Sequence, residues 1–104
     1  MTKAEFKAQL ETTKLPVYYM YAPIGTKVPF VTYIWNSDNF GADDKAYQRI
    51  ANVTVEYYHS AYDDGSALEQ VFDENDLFWN VERVFSADQK LYVDTYTMEV
   101  LENE

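Results

Sequence analysis

The chain contains no cysteine. That excludes a disulfide framework, a thiol nucleophile and a zinc site built on thiolates, and it fits a reducing compartment. Glycine is nearly as scarce: Gly25, Gly41 and Gly65 stand singly, so no glycine-rich loop exists to cradle a phosphate. Basic residues number 8 against 18 acidic ones, a formal charge of −10. A domain this acidic repels phosphate backbones and anionic lipid, which argues against direct binding to nucleic acid or to a membrane surface. No run approaches the roughly 18–20 apolar residues of a membrane span. No apolar stretch of a signal peptide follows Met1-Thr2-Lys3-Ala4-Glu5. The expectation is a soluble intracellular protein, in which the Asn52-Val53-Thr54 glycosylation pattern carries no weight.

Aromatic residues, by contrast, are abundant. Ten Tyr, six Phe and two Trp make up 17% of the 104 residues, and hydrophobic residues reach 47%. That is one domain, 1–104, with enough aromatic area to bury a core despite its size.

The pattern along the chain reads α-β-β-β-α-β-β. Thr2 and Glu5 have capping-box spacing ahead of Phe6 and Leu10, which sit four apart on one face of a short helix. That helix should stop near Thr12-Thr13, ahead of Pro16. Val17–Tyr21 is β-branched and aromatic and predicts a first strand. Phe30–Trp35 predicts a second, apolar on both faces and therefore central or covered by a partner. Ser37 to Lys45 reads as a loop. In Ile50–Tyr58 the residues Val53, Val55 and Tyr57 point one way and Thr54, Glu56 and Tyr58 the other. Ser66-Ala67-Leu68-Glu69 has capping-box spacing for a second helix, with Leu68, Val71 and Phe72 as its buried stripe. Phe78–Phe85 and Leu91–Leu101 then form a hairpin; Tyr92, Tyr96, Met98 and Val100 share a face that Asp94 interrupts.

The fold class expected is α+β, a mainly antiparallel sheet with two helices packed on one face. Helical residues Phe6, Leu10, Leu68, Val71 and Phe72 should meet strand residues Phe30, Ile34, Val53 and Val55 in a single core. One helical layer leaves the second face of the sheet either half-wet or in contact with another subunit.

The search for chemistry is largely negative. His59 ends the third strand without a serine–histidine–aspartate spacing around it, and reads as a surface or strand-end residue. Asp43-Asp44, Asp63-Asp64 and Asp73-Glu74-Asp76 lack the alternating acids and central glycine of a calcium loop, and read as caps and turn formers. Tyr18, Tyr19, Tyr21, Tyr33, Trp35, Tyr57 and Tyr58 resemble a stacking platform, but without the basic groove such platforms occupy they fit core packing and protein contact better. The residues predict no enzyme, no cofactor and no metal site. An acidic DNA-mimicking inhibitor, or another non-enzymatic interaction module, is the alternative that the charge admits.

Several segments resemble a family of small tail-component proteins of long-tailed phages and Gram-positive prophages. They are Leu15-Pro16-Val17-Tyr18-Tyr19, Val28-Pro29-Phe30-Val31-Thr32-Tyr33, Ser37-Asp38-Asn39-Phe40-Gly41-Ala42-Asp43-Asp44-Lys45-Ala46-Tyr47 and Val53-Thr54-Val55-Glu56-Tyr57-Tyr58. The Phe78-Trp79 strand and the Leu91-Tyr92 to Val100 strand follow in similar order, so the likeness spans nearly the whole chain. The family is similar to tail terminator and tail-completion proteins, which form rings that cap the tail tube and join it to the head. The resemblance implies an α+β subunit of the virion tail, assembled in the bacterial host cytoplasm as a homo-oligomeric, commonly six-fold ring. It further implies partners in the tail tube protein and the head-tail connector, and no catalysis. Asn39, Phe40, Ala42, Asp43 and Tyr47 match the loop motif most closely and are the candidate assembly surface it implies.

Overall fold

Two nine-residue helices and five strands follow one another in the computed structural model, which describes residues 1–38 and 49–102. They are α1 (Lys3–Glu11), β1 (Val17–Tyr19), β2 (Phe30–Asp38), β3 (Arg49–His59), α2 (Ser66–Glu74), β4 (Trp79–Ser86) and β5 (Leu91–Glu102). The order and the α+β class are those expected from the sequence. The strands form one sheet in the order β1-β2-β3-β5-β4. All neighbours are antiparallel except β1 and β2, which run parallel from Val17↔Val31 to Tyr19↔Tyr33. β2 is thus an interior strand, which explains its apolar character on both sides.

Local chemistry sets the helix ends. Thr2 accepts from the Glu5 amide at 3.1 Å and donates its own amide to Glu5 Oε1 at 2.8 Å, the reciprocal capping box expected for α1. Thr12 and Thr13 close that helix by donating their hydroxyls to the Gln9 and Leu10 carbonyls, both at 2.6 Å. α2 departs from expectation at its start. Ser66 is the first helical residue rather than the cap, and Gly65 occupies the cap position without a side chain to offer. Asp64 does the work instead, accepting from the Ser66 amide at 3.0 Å and its hydroxyl at 2.6 Å. Those bonds hold the Asp64 carboxyl below its ordinary range. Glu69 is free of cap duty and turns towards the sheet. At the other end Asp76 adopts a left-handed φ of 57°. The Leu77 amide then donates to Phe72 O and the Asp76 amide to Asp73 O, a Schellman ending achieved without glycine.

Both helices lie on the same face of the sheet. Phe6, Leu10, Leu68 and Phe72 bury fully against Val31, Tyr33, Trp35, Val53, Val55, Tyr57, Tyr96, Met98 and Val100. Phe6 joins the two helices to the sheet, stacking at 6.4 Å on Phe72 and tilting onto Trp35 at 5.6 Å. Each such side chain contributes about 1.5–3 kcal/mol by leaving water. Val71 is half-buried at the rim of this core.

Phe30 and Ile34 are not part of it, contrary to the expectation from strand spacing. In β2 the odd residues Val31, Tyr33 and Trp35 face the helices, so Phe30 and Ile34 face the opposite side. A strand apolar on both faces carries no period-two signal to tell the two sides apart, and pairing with β3 decides the phase. β1 is also shorter than predicted. Met20 takes a φ of 73° and leaves the strand direction, while its amide donates to Tyr33 O at 2.8 Å.

Truncating Phe72→Ala should cost about 3–5 kcal/mol in urea unfolding, because the cavity would open between both helices and the sheet. Lys7→Ala, on the exposed side of α1, should change stability by less than about 0.5 kcal/mol.

Candidate assembly surfaces

Asn39, Phe40, Ala42, Asp43 and Tyr47, the candidate assembly residues, all lie outside the described residues. The described structure nonetheless presents two uncovered apolar surfaces and one buried polar network.

The first surface is the connection from β1 to β2. Parallel neighbours cannot be joined by a tight turn, because the chain has to return along the strand before pairing again. Residues 20–29 make that return. Their base is held by the Met20 amide bond to Tyr33 O, and their tip by Thr26, whose amide and hydroxyl both donate to Pro23 O at 3.1 and 2.6 Å. Gly25, at a φ of 87°, permits the turn. Between these anchors Met20 and Tyr21 are exposed, and Ile24 is fully exposed at the tip. This loop belongs to the longest acid-free stretch of the chain: from Thr12 to Ser37 the only charged residues are Lys14 and Lys27.

The second surface is the sheet face turned away from the helices. At one end Tyr18, Phe30 and Tyr58 form an aromatic cluster, with Phe30 stacked on Tyr58 at 4.6 Å and Tyr18 edge-on to Phe30 at 6.2 Å. Thr32, Thr54, Thr95 and Thr97 occupy its middle. At the far end Ile50, Thr97, Glu99, Leu101 and Phe78 line an open groove. Leu101 is half-exposed there and Phe78 almost fully exposed. By strand register this face carries Glu56, Glu82 and Glu99, and among the described strand residues no Lys or Arg. The tryptophans point elsewhere: Trp35 and Trp79 lie on the helical side, as do Tyr33 and Tyr57. The seven-residue aromatic platform suggested by sequence is therefore split between core and surface.

The polar network lies at the start of α2. His59 is a strand-end residue as expected, but it is buried rather than on the surface. Its Nε2 meets Asp94 Oδ2 at 3.0 Å and its Nδ1 meets the Ser60 carbonyl at 2.8 Å. Each ring nitrogen is thus engaged, one by a carboxylate side chain and one by a backbone carbonyl. Tyr57 and Tyr92 stack on the ring from either side at 4.5 and 5.6 Å. Arg83 Nε stands 3.6 Å from the same Asp94 oxygen, while Arg83 and the Tyr96 hydroxyl both donate to Glu69 Oε2 at 2.7 Å. Gly65 is required at this point, since a Cβ there would collide with the Tyr96 hydroxyl. Asp94 Oδ1 and Trp35 Nε1 are buried with no hydrogen-bond partner among the described residues.

This network ties α2 to β3, β4 and β5 and has the character of a structural brace. Both ring nitrogens of His59 are engaged, by the Asp94 carboxylate and the Ser60 carbonyl. Among the described residues no three metal-ligating side chains gather, and no helix is long and apolar enough to cross a membrane. Sequence reasoning missed the His59–Asp94 pair because the two residues are 35 apart and meet only through the β3–β5 register, although Asp94 on an apolar face was a visible sign. No known protein family, curated protein or solved structure matches the chain.

The brace predicts an alkaline weakness. Burial, with Asp63, Asp64 and Asp94 nearby, pushes the Tyr57 hydroxyl from its ordinary 10.0 up to about 12. The folded chain then keeps a proton that the unfolded chain releases, so this contribution is whole below pH 10 and fades as pH rises towards 12. Thermal unfolding followed from pH 9 upward should show Tyr57→Phe losing less stability across that window than the parent chain. An identical alkaline decline in both would contradict the assignment.

Proposed function

We propose that this protein is a structural assembly subunit, acting through protein–protein contact and not through catalysis. The observation that carries the reading is the uncovered apolar surface of the isolated chain, above all the anchored loop with Ile24 fully exposed at its tip. An isoleucine left in water on an ordered turn forgoes about 1.5–3 kcal/mol that burial against a partner recovers. The open sheet face supports the same reading, since two nine-residue helices cover only one side of five strands.

Within that class the resemblance points to a tail terminator or tail-completion subunit of a phage or prophage. It forms a homomeric ring, with the tail tube protein and the head-tail connector as partners. The acidic charge suits such a role, because a lumen lined with carboxylates lets DNA pass without adhering. Asn39, Phe40, Ala42, Asp43 and Tyr47 remain candidate contacts of that ring.

Light scattering after gel filtration, with negative-stain imaging on purified tail tubes, tests the proposal. Closed rings are expected at high concentration or on the tube. A strict monomer in both conditions contradicts it.

A further inference from the structure

We infer that the 20–29 loop of one copy seats in the Ile50–Leu101 groove of a second copy, a head-to-tail contact that repeats around the ring. The inference rests on the ring-assembly reading and names its occupant: a second copy of this chain.

Position supplies the first argument. The loop leaves the sheet at its β1 edge and rejoins it at Phe30, beside Tyr58. The groove lies at the opposite end of β3 and reaches across to β4, through Ile50, Leu101 and Phe78. Tyr58 and Ile50 are eight residues apart along one strand, roughly 26 Å at about 3.3 Å per residue. The loop is pinned at Tyr33 and at Phe30, on the β1 side of the sheet, whereas the groove opens across β3, β5 and β4 at the other end. Projection and recess therefore sit at opposite corners of an elongated molecule, 49 × 25 × 21 Å. Different patches meeting in this way make a heterologous contact, which closes into a ring when the rotation between copies allows.

Charge supplies the second argument. Copies of a −10 chain repel one another over most of their surface. The loop escapes this, since its only charge is Lys27. The open face has the opposite bias, with Glu99 in the groove and Glu56 and Glu82 beyond it. Loop against groove brings a cation to a carboxylate-bearing surface, whereas face against face would oppose like charges. Shape and polarity agree: Tyr21 and Ile24 are the projecting apolar groups, while Ile50, Leu101 and Phe78 are the receiving ones.

The absence of cysteine makes the test direct. Ile24→Cys and Leu101→Cys are prepared separately and mixed at equal concentration under conditions where the parent chain is oligomeric. Mild oxidation, or a short bis-maleimide, then traps whatever contact exists. The expected product is a covalent dimer containing one of each variant. It should form about tenfold more readily than from Ile24→Cys mixed with Lys7→Cys, which places the thiol on the outer side of α1. The chain carrying both substitutions should give a ladder of multimers, since a disulfide needs Cα atoms within about 7 Å and the loop and groove lie at different ends of the sheet. Oligomers that form normally but give no preferred Ile24–Leu101 product overturn this contact and leave the assembly reading intact. Absence of oligomers in the parent chain overturns both.

Discussion

Two short helices on one side of a five-stranded sheet constrain everything else in this molecule. A sheet has two faces, and the described residues supply only enough helix to dry one. Phe6, Leu10, Leu68 and Phe72 commit both helices to the side of Val31, Val53 and Val55, and the other side is left with threonines, scattered carboxylates and an apolar patch at each end. In the middle of that face Thr97 is exposed, while Thr32 is buried. Leu101 and Phe78 stand exposed at one end, whereas at the other Phe30 is buried with Tyr18 and Tyr58 packed on it.

The same constraint explains where the polar groups go. Asp94 is a buried polar residue on an otherwise apolar strand face, and such a group requires partners. His59 and Arg83 supply them, while Glu69 takes the second Arg83 nitrogen and the Tyr96 hydroxyl. The result fixes α2 against three strands through charge and geometry, beyond what packing alone specifies. Acidic residues are missing altogether between Thr12 and Ser37. That gap coincides with the loop that carries the exposed apolar tip.

Element order was legible in the sequence because capping residues, Pro16 and the alternation through β3 and β5 all agree with the global fold. The face of β3 was readable for the same reason: Val53, Val55 and Tyr57 alternate with polar neighbours. β2 was not, since Phe30 to Trp35 is apolar throughout and only strand pairing sets its phase. The cap of α2 was misread because Ser66 and Glu69 fit a capping box by spacing, while tertiary contacts draw Glu69 to Arg83 and Tyr96. The parallel pairing of β1 leaves no local signal, so nothing in the sequence marks the loop it forces outward, with Met20, Tyr21 and Ile24. Asn39, Phe40, Ala42, Asp43 and Tyr47, the contacts the resemblance implies, lie outside the described residues.

The account stands on the claim that the uncovered face and the projecting loop are buried between copies. An electron cryo-microscopy reconstruction of the assembled ring measures this most directly. The account predicts adjacent copies in contact through Ile24 of one and the Ile50–Leu101 groove of the next, with both helices outside that contact. A ring in which the open face and the Ile24 tip remain in water, and copies meet through α1 or α2 instead, would contradict it.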